Sequence, residues 1–414
     1  MKHLFILSEL MLSGGTDAGS ARMRNAARAF AAEGVKVYLC SIKMSKRIGV
    51  DTLKEIHPNI YLVGAEGNNN PSDFRKRMTM IFNIFVAANY VRQIFKLSAQ
   101  MKGEKAFYVY PQPAVSLDVV SIVYGKFIKK FRIYADINEW RLGILKLRKY
   151  PRQIFIKMYR MYRFSIHFLK YHLSERLTKY YDGLVVISTN IESYFKKYNR
   201  NLLRIPILSN TSDVPFRESP SFVQGDTFSM CFTGMISKEK EGFDVLYKAL
   251  SVVKRAFSSF ELNLYGPVSK REKGHLLEDL PSKYGIRENI FHHGVVPHED
   301  VVAAMQKSHL LIMARPLNSQ TKYGFSTKLA EYLVSGVPVL ITDVSDNALY
   351  IKDGENGFVV EPGNPDQLAD KIVSIISNYA RLKDVIGKNA YRTAQRCFDY
   401  SNYSKSLYAF FFPE

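Results

Sequence analysis

Residues 309–342 read HLLIMARPLNSQTKYGFSTKLAEYLVSGVPVLIT. The apolar run at 309–313 predicts a buried strand. A polar loop follows Ala314, and apolar residues then recur at helical spacing over 326–335. Gly336 ends that helix, and a second apolar run at 338–342 predicts another strand. Strand, loop, helix and strand in this order form the unit from which parallel sheets are built.

The same alternation extends outward along the chain. In the second half, strands are expected near 228–233, 260–265 and 357–360, with helices near 243–256, 298–307 and 365–377. Asn364 is a good N-cap, Pro365 suits the first helical position, Asp366 the positive end of the helix dipole, and Gln367 falls at N3. In the first half, strands are expected at 3–8, 35–41, 59–63, 106–110, 131–135 and 183–188, with helices at 20–33, 115–125 and 151–177. A stretch rich in Ser, Pro and Asn from Leu208 to Ser221 lacks periodicity and precedes a fresh first strand. The fold class expected is therefore α/β, with two Rossmann-like doubly wound domains facing across a cleft. Their bounds are 1–205, a hinge at 206–222, and 223–395. Residues 396–414 form a C-terminal helix packing back towards the first domain. Ligands of such sheets bind outside the carboxyl ends of the strands.

Composition narrows the class. The chain has 414 residues, 47% hydrophobic and 23% charged, which is enough apolar material for full cores. The cysteines, Cys40, Cys231 and Cys397, have no metal or redox spacing and fit a reducing compartment. Glu9 interrupts the apolar N-terminus, which reads as a first strand rather than a signal peptide. Met80–Val91 contains Asn83 and Asn89 and is shorter than the ~20 residues a spanning helix needs. The expected location is cytoplasmic, peripheral at the inner face of the membrane.

The formal net charge is +20, from 58 Lys+Arg against 38 Asp+Glu. Residues 126–180 hold 15 Lys+Arg, three acids (Asp136, Glu139 and Glu175) and twelve aromatic residues, so +12 of the charge lies there. In the helical stretch 151–177, Arg152, Arg160, Arg163, His167 and Lys170 fall on one side. Ile154, Phe155, Met158, Met161, Tyr162, Phe168, Leu169 and Leu173 fall on the other. One reading is a core-packed helix with a solvated basic face. Another is a basic face on an anionic membrane, worth ~1 kcal/mol per cation near the surface. Nucleic acid is not expected as a partner, because no recognised binding module accompanies the charge.

Three groups of residues carry candidate chemistry. In the opening stretch, Ser326 and Thr327 offer amides and hydroxyls at a helix N-terminus, suited to a diphosphate. Lys328 can neutralise charge there. Glu331, three residues on, faces the same side and can accept two hydroxyl hydrogens, as a ribose diol requires. The plain alternative is a surface ion pair between Lys328 and Glu331. The second group, Ser13-Gly14-Gly15-Thr16 after the first strand, reads as a tight turn before an anion-binding helix start, or as an ordinary βα loop. The third is Asp136-Ile137-Asn138-Glu139-Trp140, where Asp136 ends a strand. That carboxylate can orient or deprotonate an acceptor hydroxyl, or simply cap a turn.

The stretch Tyr323–Leu340 resembles the nucleotide-sugar signature of glycosyltransferase family 4, whose members have the GT-B fold. Phe232-Thr233-Gly234 with Lys238-Glu239-Lys240-Glu241-Gly242 resembles the family's strand and Lys-Gly segment. Asn289–Gly294 resembles the turn that receives the base, and Asn356–Val360 the closing strand. Gly14-Gly15, Val185–Ser188 and Ser209–Asp213 match more loosely. The resemblance implies a hexosyltransferase-type enzyme moving a sugar from a nucleotide-diphosphate donor, with retention and with no metal or other cofactor. Carried over by position, Lys328 and Glu331 are catalytic, joined by Asp136. Gly234, Lys238, Lys240, Tyr323, Gly324, Phe325, Ser326 and Thr327 bind the donor. Gly14, Gly15 and Glu139 form the acceptor or phosphate loop. The sequence departs from the family at Tyr323, where a glutamate is usual, at Met235, where an arginine is usual, and at Lys240, one place before the usual lysine. The basic aromatic segment points to a lipid-linked or membrane saccharide acceptor at an anionic membrane surface, in surface polysaccharide or glycolipid assembly. A GT-B nucleotide-sugar epimerase or a non-catalytic membrane-associated scaffold are the alternatives.

Overall fold

The computed structural model describes residues 1–8, 18–41, 48–64, 80–110, 115–146, 154–223 and 225–414. Gly14 and Gly15 lie outside these residues. The chain divides into two compact units: Met1–Leu208 together with Tyr400–Glu414, and Ser209–Asp399.

The first unit is built on β1 (Lys2–Ser8), β2 (Lys36–Ser41), β3 (Leu53–His57), β4 (Ile60–Val63), β5 (Glu104–Tyr110), β6 (Arg132–Ile137), β7 (Gly183–Val186) and β8 (Leu202–Arg204). They form one sheet in the order β3-β4-β2-β1-β5-β6-β7-β8, parallel except for the β3–β4 pair. Leu4-Phe5-Ile6-Leu7 is wholly buried, as a strand covered on both faces must be. β3 and β8 were not expected, because both are short and largely lack buried side chains. Helix Ser404–Phe411 returns to this unit. Phe411 is fully buried, 4.1 Å from the ring of Tyr134 and 4.9 Å from those of Phe30 and Tyr108.

Helix Ile154–Leu177 differs from expectation in its orientation. Tyr162, Phe168, Leu169 and Leu173, placed on the packing side by periodicity, are exposed, while Ser174 and Glu175 are buried. Ile154, Phe155, Met158 and Met161, expected on the same side, lie outside the described side chains, and among those described in this helix the buried ones are these two polar residues.

The second unit carries β9 (Phe228–Thr233), β10 (Phe260–Tyr265), β11 (Ile290–Gly294), β12 (Leu310–Met313), β13 (Val339–Thr342) and β14 (Phe358–Val360). The order is β11-β10-β9-β12-β13-β14, with every pair parallel. Counted from β9, this is the 3-2-1-4-5-6 order of dinucleotide-binding sheets. The segment expected as the base-receiving turn, Asn289–Gly294, is largely the edge strand β11. Helix Pro365–Phe398 runs far beyond the expected 377, since no proline interrupts it and its apolar side stays buried. Asn364 caps it, its side chain accepting from the Gln367 amide at 3.1 Å. Gly387 lies against the backbone of Gly336, where a Cβ would come within 2.1 Å of the carbonyl oxygen.

Candidate functional site

In the second unit, β9 and β12 are neighbours, and the sheet order reverses between them. Connections from the two strands leave in opposite directions along the sheet, so their carboxyl ends open a crevice. The residues just past those ends are Gly234 after β9 and Ala314-Arg315 after β12. From there the chain makes a short helix, Ser319–Tyr323, then helix Thr327–Val334. Asn318 caps the first, accepting from the amides of Gln320 at 2.9 Å and Thr321 at 3.1 Å.

A charge cluster occupies this switch point. Glu241 is 1% exposed and holds two cations. Arg315 grips its carboxylate with two bonds, Nε to Oε2 at 3.0 Å and Nη2 to Oε1 at 2.9 Å. Lys328 Nζ donates to Oε1 at 2.7 Å. Burial pushes the Glu241 carboxyl up, but Arg315 and Lys328 overcome this and hold it at about 2. Lys328 responds the other way. Burial lowers its ammonium to about 8, with Arg315 and Lys240 adding repulsion and Glu241 only partly restoring it. The cluster thus holds two cations against one carboxylate, which serves both.

Glycines allow this close approach. Gly234 has φ +108, and a Cβ there would sit 2.4 Å from Lys328 Cε. Gly242 has φ +72, and a Cβ would lie 2.0 Å from the Ala314 carbonyl oxygen. The first brings Lys328 over β9, its Nζ 4.9 Å from the centre of the Phe232 ring. The second holds Glu241 against the end of β12.

Glu331 lies one turn beyond Lys328 and is partly buried. Burial raises its carboxyl pKa, while His298 and Lys328 pull it back. Among the described residues none hydrogen-bonds to its carboxylate, so its acceptor capacity is unspent. The alternative reading, an ion pair between Lys328 and Glu331, does not form, because Lys328 is committed to Glu241.

The other expected residues divide. Thr327 and Gly324 remain partly exposed at the helix start. Ser326 is buried, and its hydroxyl donates to Met313 Sδ at 3.2 Å. Phe325 is buried, its ring 5.4 Å from Tyr350 and 6.0 Å from Phe398, which makes it a packing residue. Lys238 is exposed and pairs with Asp244 at 3.5 Å. Lys240 is close enough to Lys328 to repel it. Tyr323 is partly exposed at the end of its short helix. Sequence reasoning missed Glu241 and Arg315 as a pair. The signal available was Glu241 directly before Gly242, in the place where the family pattern carries lysine.

In the first unit, Asp136 stands at the end of β6. It is fully buried, and its Oδ2 accepts from Tyr108 Oη at 2.6 Å and from Arg22 Nε and Nη2 at 3.3 and 3.2 Å. Arg22 also donates to the carbonyls of Ile205 and Pro206. Asp136 therefore ties helix Ala18–Ala32 to the strand ends through Oδ2, while its buried Oδ1 has no hydrogen-bond partner among the described residues. Glu139 is partly exposed and pairs with Arg141 at 3.4 Å. Trp140 Nε1 donates to Glu175 Oε1 at 2.9 Å, within the fold. Among the described residues no group of three His, Cys, Asp or Glu side chains is placed to hold a metal ion.

Residues 217–393 match the model of the family described as Glycosyl transferases group 1. The match lies wholly within the second unit. Among relatives, the phosphatidyl-myo-inositol mannosyltransferase of Mycobacterium leprae is 26% identical over 174 residues, 42% of this chain and 43% of that protein. The chain spans about half the length of the curated relatives it matches. The sucrose-phosphate synthase from Thermosynechococcus elongatus has the same two-domain fold, with TM-score 0.66 and 15% identity over 98% of this chain and 97% of that one. The Anabaena HepE protein in complex with UDP aligns at TM-score 0.61 with 15% identity, covering 98% of each chain.

Proposed function

We propose that the chain is a glycosyltransferase that moves a sugar from a nucleotide-diphosphate donor to a lipid-linked or membrane-associated saccharide acceptor. The observation that carries this is the Glu241–Arg315–Lys328 cluster at the switch point of a Rossmann-ordered sheet, with the unspent carboxylate of Glu331 one turn away. In this reading Glu331 accepts the two ribose hydroxyls. The diphosphate lies against Lys328 and the first amides of helix Thr327–Val334, which have no partner within the helix. As the sugar–oxygen bond breaks, negative charge grows on the diphosphate, and Lys328 with these amides stabilises it. The chain's own cations thus serve the leaving group, which supports a metal-independent reaction. Retention follows from the family resemblance. A lipid-linked acceptor is supported by the basic, aromatic segment 126–180 and by a relative whose name places it on phosphatidyl-myo-inositol. The same segment supports work at the inner face of an anionic membrane.

The test is incubation of the full chain with UDP-, GDP- and ADP-sugars and a membrane lipid extract. Free nucleoside diphosphate released together with a glycosylated lipid supports the proposal. An isomerised nucleotide sugar would make the protein an epimerase, and donor binding without turnover would make it a scaffold.

A further inference from the structure

Over its described side chains, Tyr162 and Phe164–Leu177, helix Ile154–Leu177 is inverted relative to an ordinary core helix. Its buried side is polar: Ser174 Oγ donates to Asp118 Oδ2 at 2.8 Å, and Glu175 Oε2 accepts from Tyr194 Oη at 2.9 Å. Its outer side is apolar. Tyr162, Ile166, Leu169 and Leu173 are 65, 42, 66 and 40% exposed. Steps of four, three and four residues align them in one stripe. Tyr180 extends the stripe beyond the helix end, and its ring meets that of Phe127 edge-on at 5.9 Å. Phe127 and Ile128 are each 58% exposed. Lys129, Lys130, Arg176 and Lys179 are exposed around this apolar surface.

A soluble surface gains nothing from so many large apolar side chains in one patch, so the patch marks a binding face. The charge selects the occupant. Residues 154–180 hold six Lys+Arg and one acid, Glu175, which points inward. Two copies meeting through this stripe would bring like charges together. An anionic bilayer complements both features. No helix among the described residues is long and apolar enough to cross a membrane, which leaves binding in the plane of the interface.

We propose that this stripe is an interfacial membrane-docking surface. Its apolar side chains enter the acyl boundary while the flanking lysines and arginines contact lipid phosphates. It deepens the membrane reading given above and rests on it, but not on the transfer chemistry. Charge alone does not hold the protein there; insertion of the stripe does.

The test is flotation of the full chain with vesicles of phosphatidylcholine alone or mixed with phosphatidylglycerol, comparing wild type with the Ile166→Ser/Leu169→Ser double variant. Both residues are exposed, so the melting temperature should stay unchanged. Wild type should float with the anionic vesicles, and the variant should bind about tenfold or more weakly. Raised salt should weaken wild-type binding without abolishing it, since insertion is not screened. Equal binding by the variant, or equal binding to neutral vesicles, overturns the proposal. So does a wild type that ignores vesicles but sediments as a dimer that the variant dissociates, which would assign the stripe to a second copy. A thermal shift with nucleotide sugars on the same samples reports the transferase reading separately.

Discussion

Glu241 organises the second unit's charge. Replacing it with Gln leaves Arg315 and Lys328 as buried cations with no carboxylate between them. Breaking a buried pair in this way costs about 3–5 kcal/mol, which calorimetric melting should register as a fall of several degrees. The pH dependence has two signs. The folded Glu241 carboxyl sits at about 2, below its ordinary 4.5, so its contribution is fully present above about 4.5 and is lost as pH falls from there towards 2. The folded Lys328 ammonium sits at about 8, below 10.5, so it remains charged at neutral pH. Nucleoside diphosphate affinity should therefore fall as pH rises through about 8, and the fall should begin at lower pH in Glu241→Gln, where the carboxylate that supports the ammonium is gone. Titration calorimetry across that range checks both; a profile flat through pH 8 would remove Lys328 from the phosphate. Much of this was legible in sequence: Lys328 and Glu331 follow from a helix start and an i,i+3 spacing. The commitment of Lys328 to Glu241 was not, because 87 residues separate them and only the sheet order brings them together.

Helices and strands differ in how they can be read. The N-cap of Pro365–Phe398 and the βαβ rhythm are local signals, and both appear where the sequence puts them. β3, β8 and β11 lack continuous buried runs, so nothing in their residues separates them from loops. Helix Ile154–Leu177 misleads for a different reason: periodicity divides its sides but does not say which one faces the core. The C-terminal helix Ser404–Phe411 depends on tertiary packing. Phe411→Ala should destabilise the first unit by about 3–5 kcal/mol, since the ring is fully buried among Phe30, Tyr108 and Tyr134. Denaturant melting followed at Trp140, which lies in the same unit, measures this; a change below about 1 kcal/mol would make the helix a loose tail. At the switch point, Gly234→Ala should weaken nucleotide binding because its Cβ displaces Lys328, while the φ of +108 adds about 1–3 kcal/mol of backbone strain.

At the scale of the molecule, the chain passes between its two units at Leu208/Ser209 and returns at Asp399/Tyr400. The Ser- and Pro-rich composition near 206–222 marks the first crossing. The second is masked in the sequence, because helix Pro365–Phe398 continues without a break to within a residue of it. The concentration of +12 in residues 126–180 belongs wholly to the first unit, and the Glu241–Arg315–Lys328 cluster to the second. The claim on which the functional account rests is that the second unit holds a nucleotide diphosphate through Glu331 and Lys328. Isothermal titration of UDP, GDP and ADP into wild type and Glu331→Ala tests it most directly. One nucleotide should bind the wild type, and the variant should lose ~1.5–3 kcal/mol of that binding, the range for hydrogen bonds to a charged group. Equal affinity in the two proteins, or no binding of any nucleotide to the wild type, would contradict the account.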